Sequence, residues 1–320
     1  MAAPHSRMPI RIALLFLLVF LLTGLGAIAG TSCNRWWTDE TCLTVHPDVD
    51  LGTIDSSTFH GATPEGSGAL QPLTALDNAI DITRNGWASL NWTLEVKAAS
   101  SSGMDLSRLH WRHSGTGEGY LPFSSLGAWT QVATGRGAAS LAVDYEYSPT
   151  TGDAPGNYRV ILTYRVTISW GSYELYSVSE DTVLFLNARD WIVLALDDGI
   201  DLGVIDGAGY VIGSGLPPRD CVGNGMFIVS NSPTGWDVTL QAGSISTPPC
   251  YRGDLLRVFF WQIDGSAFRS ASGLQAQAIT VASSSAPGKV QHTLGYRYTP
   301  TTAECGGDYS ISLIYTATPR

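Results

Sequence analysis

The residues able to carry chemistry are few and poorly grouped. His110 and His113 bracket Trp111 and Arg112. On a strand, positions three apart point to opposite faces, so the two imidazoles are badly placed to share a metal. Asp50 and Asp55 recur as Asp201 and Asp206. Carboxylates in such pairs could hold calcium, but each sits where a strand meets a turn, and there aspartate commonly accepts from its own backbone. The sequence has no G-x-S-x-G elbow, zinc-ligand spacing, phosphate loop or dinucleotide fingerprint. The expectation is no enzymatic activity, no metal and no cofactor.

Aromatic chemistry is better represented, with 10 Trp and 13 Tyr. A flat ring suits the apolar face of a sugar, yet most of the tyrosines alternate in phase with Val143, Val160 and Leu162 and so read as core. Trp36, Trp37 and Trp129 have no clear inward phase and are the candidates for a binding platform.

The elements that must position these residues appear twice. Asp144-Tyr145-Glu146-Tyr147-Ser148-Pro149-Thr150-Thr151 returns as Gly295-Tyr296-Arg297-Tyr298-Thr299-Pro300-Thr301-Thr302, an offset of 296 − 145 = 151. The following runs, Tyr158 to Tyr164 and Tyr309 to Tyr315, keep that offset. Leu141, Val143, Tyr145 and Tyr147 form one face of a period-two pattern, and Tyr158, Val160, Leu162, Tyr164 and Val166 form one face of the next. That is the mark of half-buried strands. Pro149 ends the first strand because proline cannot donate to a ladder, which makes a strand–turn–strand. Val49–Asp55 and Ile200–Asp206 open the two repeats as strands. Trp92-Thr93-Leu94 answers Trp236-Asp237-Val238. Short strands with Gly and Pro turns imply a β-sandwich, and a period this long means domain duplication rather than a solenoid.

The address is read from the first residues. Arg7 and Arg11 precede an apolar run, and Ala27-Ile28-Ala29 supplies a small-residue cleavage site, as in a secretory signal. An uncleaved anchor is the competing reading. The net charge of −10 argues against nucleic acid as a partner. An exported chain can form disulfides. Cys33 and Cys42 are close enough to staple the mature N-terminus. Cys221 and Cys250 are expected to pair, because the strands between them place both at one end of the second sandwich. Cys305 is left over, either free or replacing one of those partners.

Trp92-Thr93-Leu94, the opening Leu51-Gly52-Thr53-Ile54 and the run Tyr309–Pro319 together resemble the WxL domain of secreted bacterial surface proteins. Tyr315 and Ala317 stand where that family's distal motif has Trp and Leu, and the second repeat has Trp236-Asp237-Val238 in place of Trp-x-Leu. The resemblance implies non-covalent binding to cell-wall glycan, with Trp92 and Leu94 as the residues carried over.

The expected architecture is all-β, with two tandem immunoglobulin-like β-sandwich domains after an N-terminal signal peptide. Its parts are a signal peptide (1–29), an N-terminal lead (30–41), repeat one (42–170), a connector with one extra strand at Val183–Leu186 (171–190) and repeat two (191–320). The expected role is a secreted, cell-surface structural or adhesive protein, with cell-wall polysaccharide or other envelope proteins as partners and self-assembly as an option. One alternative is a spore-coat or fimbrial-type fibre subunit, in which an incomplete sandwich accepts a strand from a neighbour. Another is a secreted carbohydrate-active enzyme, which would need a carboxylate pair in a cleft.

Overall fold

The structure, a computed structural model, describes residues 30–86, 89–123, 125–205, 216–302 and 304–320. The expected signal peptide and Asp206 lie outside them. The described chain is all-β. Its strands are β1 (Gly30–Trp36), β2 (Asp39–Val45), β3 (Asp48–Ile54), the two-residue β4 (Phe59–His60) and β5 (Ala69–Leu70), β6 (Leu73–Asn85), β7 (Asn91–Ser102), β8 (Leu109–His113), β9 (Leu121–Pro122), β10 (Thr130–Arg136), β11 (Ala139–Tyr147), β12 (Gly156–Trp170) and β13 (Tyr173–Ala188). They continue as β14 (Ile192–Leu196), β15 (Arg219–Ser230), β16 (Trp236–Ser246), β17 (Phe259–Ile263), β18 (Arg269–Ser270), β19 (Ile279–Ser284), β20 (Gly288–Tyr298) and β21 (Ser310–Pro319), with one helical turn, α1 (Leu255–Val258), before β17.

Two compact units result. Unit one holds the described residues up to Leu51 with Thr74–Glu146 and Arg159–Phe185; unit two holds Gly52–Leu73, Tyr147–Tyr158 and Leu186–Arg320. In unit one, a sheet ordered β1-β2-β6-β11-β8-β9 faces a sheet ordered β10-β7-β12-β13-β3. The two meet through buried side chains, among them Tyr145 of β11 and Tyr164 of β12, whose hydroxyls lie 2.5 Å apart. Val160, Leu162, Tyr164, Val166 and Ile168, one face of β12, are all at most 1% exposed. Full burial of each such side chain contributes about 1.5–3 kcal/mol, so β12 is the central staff of this core.

Unit two repeats the plan with β14-β15-β20-β17-β18 against β19-β16-β21. The first sheet matches β2-β6-β11-β8-β9 strand for strand, and the second matches β10-β7-β12. Nothing among the described residues corresponds to β13 and β3, so β21 is a sheet edge where β12 is interior. The segment expected to open repeat two as a strand, Ile200–Asp206, is not one: residues 200–205 run without regular structure. Its counterpart β3 exists by pairing with β13, and a strand without a partner leaves its backbone groups unsatisfied.

Two expected boundaries also move. Residues 30–41, expected as an N-terminal lead, hold β1 and the start of β2, paired as a hairpin. Residues 171–190 are not a connector with a short strand but contain the 16-residue β13.

Unit two also recruits residues numbered within repeat one. Asp55 caps the 3-10 turn Ser56–Thr58, accepting from the Ser57 amide at 2.9 Å. This turn delivers Phe59, 7% exposed, onto Trp191 and Phe227, with ring centroids at 6.0 Å and 6.4 Å. Farther along the same loop, the Pro64 and Gly68 carbonyls accept from Gln291 Nε2 and Lys289 Nζ of β20.

Candidate functional site

The duplicated hairpin builds the same set of contacts twice. Tyr147 Oη donates to Asp153 at 3.3 Å, and Tyr298 Oη to Glu304 at 2.5 Å. Each carboxylate also accepts, at 2.8 Å, from the amide that follows the proline: Thr150 in one copy, Thr301 in the other. Tyr158 Oη reaches the Ala154 carbonyl at 2.6 Å, and Tyr309 Oη reaches the Cys305 carbonyl at 2.8 Å. Tyr145 with Tyr164 becomes Tyr296 with Tyr315, hydroxyls 2.9 Å apart. These bonds fix the turn so that the return strand leaves in one direction and presents its apolar face to the opposite sheet. Tyr158 and Tyr309 are therefore half-buried clamps on the turn rather than members of the deep core.

What differs between the copies is the cover over that return strand. The inward row of β21 is Ile311, Leu313, Tyr315 and Ala317, and every one of them is only half-buried. Its outward row, Ser310, Ser312, Ile314, Thr316 and Thr318, is exposed. Leu202 and Ile205 are half-buried too, whereas the residues they match in β3, Leu51 and Ile54, are 3% and 0% exposed. The outcome is a groove of about 1040 Å³ along β21, floored by Tyr296, Leu313 and Tyr315 and flanked by Leu196 and Leu202. An apolar floor beside a strand edge that is unpaired among the described residues offers two kinds of contact at once: side-chain pockets at alternate positions, and a row of backbone donors and acceptors.

The groove's rim is mostly acidic, with Asp197, Asp201, Glu304 and Asp308 against Arg219. Asp197 accepts from the Gly225 amide at 2.5 Å and Asp201 from the Gly203 amide at 2.7 Å, so both serve the local backbone. Burial pushes the Glu304 carboxyl up, but the bonds from Tyr298 and Thr301 outweigh it and hold Glu304 below the ordinary range. Burial, and then the neighbouring carboxylate, push the Tyr298 phenol up. Both groups thus keep the charge state that their mutual bond requires. Among the described residues, no cluster of His, Cys, Asp and Glu could hold a metal.

One end of the groove is stapled. Cys250 bonds Cys305, with Cα atoms 6.1 Å apart, and Cys221 is a free thiol. This corrects the expected Cys221–Cys250 bridge. The strand expected to begin after Cys221 begins at Arg219, so Cys221 lies inside the ladder opposite Tyr296, and its Sγ faces Asn224. Cys250 follows β16, and Cys305 precedes β21. Ser246 pairs with Ser310 across those strands, which brings the two loops together. Cys33 and Cys42 are bonded, directly opposite each other in the β1–β2 ladder.

The sequence-predicted binding residues scatter. Trp92 and Leu94 are 3% and 0% exposed, so the two residues carried over from the WxL resemblance are core and cannot touch a ligand. Trp92 Nε1 donates to the Gly137 carbonyl at 3.0 Å, and its ring lies over Gly135, where an added Cβ would come within 2.4 Å of it. Trp129 is no open platform, because Arg165 and Lys97 sit over its ring at 4.1 Å and 4.5 Å from the centroid. Trp36 and Trp37 lie at the tip of the β1–β2 hairpin with centroids 5.9 Å apart. Trp37 is 77% exposed. Two exposed aromatics that the sequence reading passed over, Trp170 at 67% and Tyr173 at 77%, flank the β12–β13 turn. Their position beside Gly171 was the available signal. The groove itself was missed because the two hairpins look alike in sequence.

No protein-family model and no curated protein matches the sequence. Among solved structures, the chain is similar to the CsuC–CsuE chaperone–tip adhesion subunit pre-assembly complex of archaic Csu pili of Acinetobacter baumannii, at 12% identity over 86% of this chain and 99% of that one, TM-score 0.38. It is also similar to a chaperone–tip adhesin complex of CFA/I fimbriae biogenesis, at 10% identity over 86% and 96%, TM-score 0.31. AggA, the major subunit of aggregative adherence fimbriae type I from Escherichia coli, is similar at 14% identity over 49% and 100%, TM-score 0.25. Likenesses this weak carry no assignment for the present chain.

Proposed function

We propose that unit two is an acceptor for a β-strand donated by another polypeptide, which makes the chain a subunit of an exported surface assembly. The observation behind this reading is the contrast between β12 and β21. The same alternating row is at most 1% exposed in β12, which β13 pairs, and half-buried in β21, which no strand among the described residues pairs on that side. An incoming strand would hydrogen-bond the free edge of β21 and seat alternate apolar side chains in the groove, the mode known as strand addition. Two disulfides fit a chain that matures in an oxidising compartment. Between the expected glycan-binding structural protein and the strand-exchange subunit, the groove favours the second.

The strand β13 supplies the template for the missing strand. In β13, Val178, Thr182, Leu184, Leu186 and Ala188 are buried, and β13 returns along β12 through a tight hairpin. A peptide spanning 178–188 is therefore the probe. Added in excess to the full chain, it should raise the melting temperature of unit two and protect the amides of β21 from exchange. A version with Asp at the Leu184 and Leu186 positions should do neither. Equal effects of both peptides, or none from either, would sink the proposal.

A further inference from the structure

We propose that Glu180 is the receptor for the chain's own processed N-terminus: cleavage after Ala29 gives Gly30 a free α-ammonium, and Glu180 holds it as an ion pair across the sandwich of unit one. The proposal rests on the secretory signal read from the sequence and is independent of the groove in unit two.

Glu180 stands where an acid is out of place. Alternate residues of β13 face the opposing sheet, and Val178, Thr182, Leu184 and Leu186 of that row are at most 4% exposed. Glu180 falls in the same row and is half-buried. A carboxylate drawn out of water needs a partner that offsets its lost hydration. Among the described residues, its Oε2 accepts from the Ser32 hydroxyl, a neutral group.

Position 30 can supply the charge. Gly30 and Ser32 are two residues apart on β1 and so share the face turned to β13. A Cβ built at Gly30 would overlap Glu180 Oε1 and lie 3.0 Å from its Cδ. By standard bond lengths, the Gly30 nitrogen is therefore about 5 Å or less from the carboxylate. One oxygen thus serves Ser32 and the other adjoins Gly30. Both strands are held in place there. Gly30 is opposite Val45 in the β1–β2 ladder, and Thr182, next in the inward row of β13, donates to the His46 carbonyl.

β1 begins at Gly30, the residue that follows the small-residue site Ala27-Ile28-Ala29. In the uncleaved chain the Gly30 nitrogen is a neutral amide. Hydrolysis of the Ala29–Gly30 bond takes up one water, leaves a carboxylate on Ala29 and leaves an amine on Gly30 that is protonated at neutral pH. The new group carries a positive charge and three donor protons, beside an acid already positioned for it. Processing thereby pins the start of β1, the outermost strand of its sheet, to the sheet opposite.

The experiment expresses the full chain with its own leader in a secreting host and recovers the exported protein. Intact mass should place the first residue at Gly30. An NMR titration of the Gly30 α-protons should give an amine pKa about one unit above the roughly 7.7–8.0 of a free peptide amine. Glu180→Gln, which keeps the side chain's shape, should return it to that range. A group whose pKa is raised on folding stabilises below its unfolded pKa, and that stability is lost as pH rises through the folded value. The melting-temperature advantage over Glu180→Gln should therefore be full at about pH 7 and fade between about pH 8 and 10. Of the other titratable groups near this end, Asp181 and His46 are exposed and common to both chains. A first residue other than Gly30 would overturn the proposal together with the cleavage reading. Gly30 in first place with an ordinary amine pKa, whether or not the variant folds, would overturn the ion pair alone and leave Glu180 as a packing partner of Ser32.

Discussion

At the residue scale, the paired tyrosine hydroxyls show how one sequence element is worth different amounts in two settings. Tyr145 and Tyr164 meet where both are buried, at 1% exposure each, and burial raises both phenols. Tyr145→Phe strands the Tyr164 hydroxyl, and an unpaired buried polar group costs about 1–3 kcal/mol. Tyr296→Phe should cost less, because Tyr315 is half-buried beside the open groove. Urea unfolding of the two variants checks the order. Asp144 gives a second residue-scale prediction. Burial pushes its carboxyl up, but Ser114 Oγ, the Asp77 amide and Arg112 together overcome that and hold it low. A carboxyl lowered on folding stabilises above its unfolded pKa, and that stability is lost as pH falls through the folded value. Asp144→Asn should therefore flatten the acid limb of unit one's stability below about pH 4. Repeat two has Gly295 at this position and gains no such dependence from it.

At the scale of elements, the loop around Phe59 decides where unit two begins. Trp191 and Phe227, 3% and 2% exposed, owe part of their cover to a ring numbered deep within repeat one. Phe59→Ala should lower the stability of unit two by about 3 kcal/mol, the usual cost of a large aromatic removed from a core. Calorimetry of the full chain would show it as a shift in one transition. A fragment of residues 191–320 lacks this cover as well as Tyr147–Tyr158, and is accordingly expected to be less stable than unit two within the whole chain.

For the whole molecule, two units with one plan and unequal completeness should unfold separately. Unit one has β12 buried on one face and paired along both edges; among the described residues of unit two, β21 is paired along one edge only. Two calorimetric transitions are expected, the lower belonging to unit two, and the 178–188 peptide should narrow the gap. A single transition unmoved by the peptide would mean that unit two is already complete.

The sequence by itself determined the strands and the faces they bury, because alternation with a retained 151-residue offset allows only one phase for a strand with one apolar side. Tyr145, Tyr147, Val160, Leu162 and Tyr164 are inward for that reason. It also determined that Cys33 and Cys42 could meet, since nine positions across a hairpin suffice. Partnership across the chain was beyond its reach. Whether Ile200–Ile205 forms a strand depends on the presence of a β13 equivalent beside it, and pairing is a non-local property that no window of sequence contains. Cys250 chooses Cys305 because β16 and β21 are neighbours, which only the sheet order reveals. Trp92 reads as a ligand contact and is core, while Trp170, at the end of the expected repeat one, and Tyr173, in the expected connector, stand in water. An aromatic side chain reads the same in either place, and what separates core from binding surface is whether another layer of the fold covers it.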